Sequence, residues 1–190
     1  ESRISKVDLS AVAFGKEFSD HMFVMDYENG EWKNPSIVPF QNISVNPAFL
    51  VLHYGQAIFE GMKAHKAANG DALLFRPDQN FKRLNQSAKR LCIPQMDENL
   101  LLEGLKKLVE LDINWIPNIP GASMYIRPFV FATDEFIGVR PSSNYKLIIF
   151  TCPVNSYYDK AVSVKIETKY ARASEGGTGS AKAAGNYAGQ

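Results

Sequence analysis

Residues 145–154 read YKLIIFTCPV, apolar except at Lys146 and Thr151. The run is too short to cross a bilayer as a helix, which takes about 20 apolar residues. Its aromatic and β-branched content makes it a buried strand, with side chains to hide on both faces. A sheet must therefore be built around it. Residues 123–132, SMYIRPFVFA, supply a second strand, on which a period of two puts Tyr125, Arg127 and Phe129 on one face. Earlier in the chain, residues 14–26 read as a strand pair entering the fold, and Glu28-Asn29-Gly30 as a turn that tolerates positive φ. Residues 36–45 read as a further strand with Pro39 at an edge or bulge, and 73–75 as a short one. Together these predict an antiparallel, hairpin-built sheet. Two helices are also expected. Arg76-Pro77 opens the first, with Phe81, Leu84, Ala88 and Leu91 as its buried stripe and Lys82, Arg83, Lys89 and Arg90 off it. Asp97 caps the second, whose apolar face is Leu101, Leu105, Leu108 and Val109 and which Gly104 weakens slightly. Residues 112–121, with Pro117 and Pro120, read as a loop. The class is α+β.

A length of 190 residues allows one large domain, or one domain and part of another. A net charge of +1 gives no electrostatic footprint for nucleic acid or an anionic membrane. The first residues, ESRISK, hold no apolar stretch, so no signal peptide is expected, and without an initiator Met the start reads as trimmed, processed or incompletely recorded. Cys92 and Cys152 have no metal-ligand spacing and lie in apolar contexts, which suits reduced, buried thiols in a cytoplasm. His21, with few histidines elsewhere, reads as structural, and no metal site is expected.

The chemistry concentrates in residues 176–190, GGTGSAKAAGNYAGQ. Three readings compete. A glycine-rich stretch is commonly a flexible linker with an incidental lysine. A phosphate loop needs Gly before the Lys and Ser or Thr after it, whereas alanines flank Lys182; Gly177 and Gly179 also lack the third glycine of a dinucleotide fingerprint. The third reading is a Schiff-base lysine, packed closely against a ligand by its small neighbours. Elsewhere, Tyr54, Phe59 and Glu60 lie around Gly55 and Gly61, where an aromatic pair is more often core than pocket. Arg127 on an apolar strand needs an anionic partner, either a buried acid or a substrate carboxylate.

Several segments together resemble one family. YARA at 170–173 followed by GGTGSAKAAGNYA closely resembles the pyridoxal-phosphate (PLP) lysine segment of branched-chain amino acid aminotransferases, PLP enzymes of fold type IV. LHYGQAIFEGMKA at 52–64 is similar to that family's HYGQ-x-x-FEG-x-KA signature, RPDQNFKRL at 76–84 to its phosphate-gripping segment, and YIRP at 125–128 to its Tyr-x-Arg-Pro motif. The resemblance implies a catalytic Lys182 carrying PLP, with Arg83 on the cofactor phosphate and Tyr187 on its phenolic oxygen. Arg172 would support from behind. Phe14, Tyr54, Phe59 and Tyr125 would line the substrate pocket, with Tyr125 and Arg127 clamping a carboxylate. The loop at 136–141 would reach the other subunit of a homodimer, where Ile137 and Val139 add aliphatic wall.

The implied architecture is a small N-terminal domain over residues 1–154, a linker at 155–160, and the start of the larger PLP-lysine domain at 161–190, with a new sheet beginning at 162–167. A complete enzyme of this kind continues for roughly another half of its length. That part would hold the acidic partner of the pyridine nitrogen and the turn for the α-carboxylate. The implied reaction is ping-pong transamination of leucine, isoleucine or valine with 2-oxoglutarate, giving branched 2-oxo acids and glutamate. D-amino acid aminotransferases and aminodeoxychorismate lyases share the lysine but not the combined HYGQ, FEG and YIRP set. A non-catalytic interaction fragment is the alternative from another class.

Overall fold

The computed structural model describes residues 2–156 and 160–189. Strand β1, His21–Glu28, turns back on β2, Glu31–Pro39, through Asn29 and Gly30, both at positive φ (56° and 88°). Such a two-residue turn matches the right-handed twist of the strands it joins. Helix α1, Leu50–Tyr54, is closed by Gly55 in the left-handed region. Strands β3 (Ala57–Phe59), β4 (Met62–Lys66) and β5 (Ala72–Leu74) follow. Then come helices α2 (Pro77–Arg90) and α3 (Glu98–Leu111), and the long strands β6 (Ser123–Ala132) and β7 (Tyr145–Val154). Every strand pairing is antiparallel, in the order β2-β1-β7-β6-β4-β5, with β3 also on β6. Pro39 ends an edge strand, where a missing N–H costs no ladder bond.

Central strand β6 is shared along one side by two short strands. Ala57–Phe59 pairs with its second half and Met62–Lys66 with its first, so a seam opens at Glu60-Gly61. Pro128 lies opposite that seam, and its C=O accepts the Glu60 N–H at 2.8 Å. The N–H that proline lacks is therefore missing where the ladder is already interrupted.

Strand β7 is buried along most of its length, as the composition of residues 145–154 requires, while the sheet as a whole is buried on one face and half-buried on the other. On one face Phe23, Met25, Met124, Ile126, Val130, Leu147 and Ile149 meet Phe81, Leu84 and Ala88 of α2 and Leu101, Leu105 and Leu108 of α3. Gly104 has a packing reason that outweighs its helix cost: a Cβ there would lie 2.6 Å from the Phe23 ring. The Asp97 carboxylate caps α3 by accepting from the Asn99 and Leu100 N–H groups. On the other face, Met22, Phe131 and Ile148 cluster with Val24, Phe129 and Phe150.

Several sequence expectations are corrected. Residues 14–26 hold one strand, not a pair, because 14–16 are a turn and pairing starts only at His21. The strand expected at 36–45 is shifted back to Glu31–Pro39 by its register on β1. Residues 162–167 form no strand: Val164 and Ile166 are 88% and 85% exposed, and no strand among the described residues pairs with them. Within the expected loop, Ile113–Trp115 makes a 3-10 turn that buries Trp115. Cys152 is buried as expected, but Cys92 is exposed. Cys92 follows the end of α2 at φ 56°, where its N–H reaches the Lys89 C=O and the next N–H, of Ile93, reaches the Ala88 C=O. That helix stop turns the left-handed residue outward and tucks Ile93 in. Of the linker expected at 155–160, residues 157–159 lie outside the described residues.

Candidate active site

Lys182 is fixed at the backbone before its side chain does anything. Its N–H donates to Ser87 Oγ on α2 at 2.9 Å, and its C=O accepts from the Phe59 N–H at 3.1 Å. Ala183 bridges Ile58 of β3, and Ala181 and Ala183 are both buried. The small neighbours are what let this turn lie against helix and strand at once. Asn186 closes it: its Nδ2 donates to the carbonyls of Thr178 and Ala181, while its Oδ1 accepts from the Thr178 hydroxyl. Arg90 adds a strap, donating from Nη2 to the carbonyls of Gly176 and Gly177 at 2.9 Å each.

The lysine side chain ends among aromatic rings. Nζ donates to Tyr187 Oη at 3.2 Å and lies 4.4 Å from the Phe59 ring centre and 4.9 Å from that of Tyr187. Arg172 stands 5.7 Å from the Tyr187 ring. Phe59 is shared, because the Arg127 guanidinium lies 4.6 Å from the same ring centre. Arg127 donates from Nε and Nη2 to Tyr125 Oη at 3.2 and 2.9 Å, and Phe14 meets the Tyr125 ring edge-on at 5.2 Å. Gly61 makes room for this arrangement, since a Cβ would run into the Tyr125 hydroxyl and lie 3.1 Å from its ring. Cys152 pairs with Tyr125 in the ladder, and burial pushes its thiol up.

Arg83 is engaged with a protein group. Its Nε and Nη2 donate to the two carboxylate oxygens of Glu60 at 2.6 and 2.7 Å. The Glu60 hydrogen bond raises the guanidinium above its ordinary range against the opposing effect of burial. Asn80 Nδ2 also donates to Glu60 at 3.0 Å.

The fold thus brings together Lys182, Tyr187, Phe59, Tyr125, Arg127 and Phe14, with Arg83 and Arg172 beside them. Tyr54 stands apart at the end of α1, half-exposed, its ring near His53. Ile137 and Val139 are 59% and 92% exposed. Among the described contacts, none joins these three to the cluster. Sequence reasoning assigned no role to Asn80, Ser87 and Arg90, although a signal was present: with Arg83 they recur at helical spacing on α2. They form a polar stripe beside the apolar one, and a charged stripe is ordinarily solvated. Here it carries the lysine segment and Glu60. Chemically, the cluster offers a tethered amine beside a phenol, several cations and aromatic walls. That donor set suits a planar, anionic, carbonyl-bearing group and a carboxylate substrate. Among the described residues no group of three or more His, Cys, Asp or Glu could hold a metal ion, and no helix is long and apolar enough to cross a membrane.

No family model matches the chain. Curated proteins and solved structures do. It is 54% identical over 187 residues to the branched-chain-amino-acid aminotransferase 2 of Bacillus subtilis (strain 168), covering 96% of this chain and 52% of that protein. It is 50% identical over 188 residues to branched-chain-amino-acid transaminase 1 of the same organism, covering 96% and 53%. The T.th. branched-chain amino acid aminotransferase shares the fold at 28% identity in two crystal structures. With pyridoxamine 5′-phosphate the TM-score is 0.54 over 70% of this chain and 40% of that one; with N-(5′-phosphopyridoxyl)-L-glutamate it is 0.52 over 67% and 40%. This chain spans about half the length of the curated relatives it matches.

Proposed function

We infer that this chain, whose curated relatives along nearly its whole length are branched-chain amino acid aminotransferases of fold type IV, is the lysine-bearing part of such an enzyme. The activity proposed is transamination between branched-chain L-amino acids and 2-oxoglutarate. The observation that carries the reading is Lys182 itself, held at its backbone by α2 and β3, with its amine on the Tyr187 phenol beside Phe59.

PLP, when bound, supplies the electron sink for removal of the α-proton. The residues present fit it. Lys182 Nζ is the point of attachment and the group that takes and returns the substrate's α-proton; tethering gives it a high effective concentration. Tyr187 Oη, already within hydrogen-bond distance of that amine, orients it and is the donor for the cofactor's phenolic oxygen. Arg83 is the phosphate ligand, using the guanidinium edge that Glu60 leaves open. Phe14, Phe59 and Tyr125 form the wall for an aliphatic side chain and keep water from it, whereas Tyr54, which the resemblance puts in the same wall, stands apart from them on α1. Arg127, steadied by Tyr125, reads the distal carboxylate of glutamate.

The same reading assigns residues 1–154 to a small domain, 155–160 to a linker and 161–190 to the opening of the larger one. It also implies a homodimer in the cytoplasm, in which the exposed Ile137 and Val139 complete the partner's pocket. The test is borohydride reduction in the presence of PLP, followed by peptide mass mapping, on this chain and on the full-length protein. The expected result is a pyridoxyl group on Lys182. No adduct at Lys182 in either would remove the assignment and the aminotransferase reading with it.

A further inference from the structure

We propose that Glu60 is a positioning residue for the cofactor phosphate, acting through Arg83. The inference rests on the reading of Arg83 as the phosphate ligand.

Glu60 sits at the seam between β3 and β4, with 0% exposure. A buried carboxylate is costly unless it is paired and fully hydrogen-bonded. This one receives Arg83 Nε and Nη2, Asn80 Nδ2 and the Gly61 N–H, while its own N–H is tied to the Pro128 C=O. Main chain and side chain are both pinned.

Arg83 is the opposite case: its side chain is 56% exposed although its partner is wholly buried. A guanidinium is planar and offers donors along more than one edge. Glu60 takes the Nε edge, which fixes the plane, and turns the Nη1 side outward. An arginine on an exposed helix face would otherwise sample many rotamers, and freezing them costs binding free energy. With Glu60 in place that ordering is complete before an oxyanion arrives. Asn80 and Arg83, one turn apart on α2, share the work of holding the carboxylate.

Charge and orientation predict opposite outcomes, and this makes the idea testable. Glu60→Gln removes a negative charge beside the phosphate site, and on charge alone PLP should bind more tightly. On orientation it should bind more weakly, because an amide offers Arg83 one acceptor and faces it with an N–H₂ group.

The experiment compares equilibrium binding of PLP and of pyridoxal, which has no phosphate, in the full-length protein and its Glu60→Gln, Arg83→Lys and double variants. Expected is a fall in the preference for PLP over pyridoxal by about tenfold to a hundredfold in Glu60→Gln, the loss that follows removal of a ligand's supporting partner. Affinity for pyridoxal should hold. In the Arg83→Lys background, Glu60→Gln should leave the preference unchanged, since lysine has no planar fork to orient. Should Glu60→Gln fail to fold, Asn80→Ala, which releases one donor from the same carboxylate, should lower the preference in the same direction. PLP binding unchanged or tighter in Glu60→Gln would overturn the proposal. So would equal weakening of PLP and pyridoxal, the mark of a purely structural pair. A wild-type protein with no preference for PLP would remove the phosphate reading of Arg83 and this inference with it, while a Lys182 adduct would still stand.

Discussion

Replacing Gly61 by alanine tests the clamp through a residue that touches no substrate. Gly61 is not at positive φ, so the backbone itself accepts an L side chain. The obstacle is Tyr125. An alanine Cβ would run into its hydroxyl and lie 3.1 and 3.2 Å from two ring carbons, where a comfortable carbon–carbon contact is about 3.5–4.0 Å. Tyr125 cannot simply swing away, because its hydroxyl accepts from Arg127 at 3.2 and 2.9 Å and Phe14 abuts its ring. Overpacking of this kind costs about 1–3 kcal/mol. Loss of the Arg127 bonds adds about 1.5 kcal/mol, the lower end for bonds to a charged group, since both side chains are half-buried. The two costs overlap, so the expected total is about 2–3 kcal/mol. Tyr125→Phe alone loses only the hydrogen bonds and should cost that same amount, about 1.5 kcal/mol. In the double variant the hydroxyl is gone and the worst clash with it, so its cost should fall short of the summed single costs by at least about 1 kcal/mol. Denaturant unfolding of the four proteins measures this directly. Additive costs, or a Gly61→Ala variant as stable as wild type, would refute the close approach.

Arg127→Ala should raise the barrier with glutamate by about 2–4 kcal/mol and with leucine by much less, measured as kcat/KM on both; equal slowing would remove Arg127 as the reader of the distal carboxylate. Asp20 is held at about 2 rather than 3.8: burial opposes the charge, but hydrogen bonds from Ser2, the Arg3 N–H, Trp115 and the Arg3 side chain outweigh it. A lowered folded-state value stabilises above 3.8 and is lost as pH falls from there toward about 2. The stability of Asp20→Asn should therefore depend less on pH in that window; an identical acid profile would count against this network.

Elements with a local signal were legible in the residues alone. Strands Ser123–Ala132 and Tyr145–Val154 came out with correct bounds because an unbroken or period-two apolar pattern has few alternatives. Helix Glu98–Leu111 did so because Asp97 caps it in sequence. Arg127 was legible as a residue that needs an anionic partner, whereas the residues alone left Lys182 among three readings and Tyr187 drew its role only from the resemblance. The partners themselves emerged only on folding. Glu60 and Arg83 are 23 residues apart and Ser87 and Lys182 are 95 apart, and no periodicity links them. Gly104 looked like a helix defect until Phe23 filled its place, and the reason for Gly61 appeared only with the Tyr125 ring packed against it. Conversely, Val164 and Ile166 alternate as a strand would, yet stay exposed. A strand exists only with a neighbour to receive its hydrogen bonds, and that neighbour is a property of the fold.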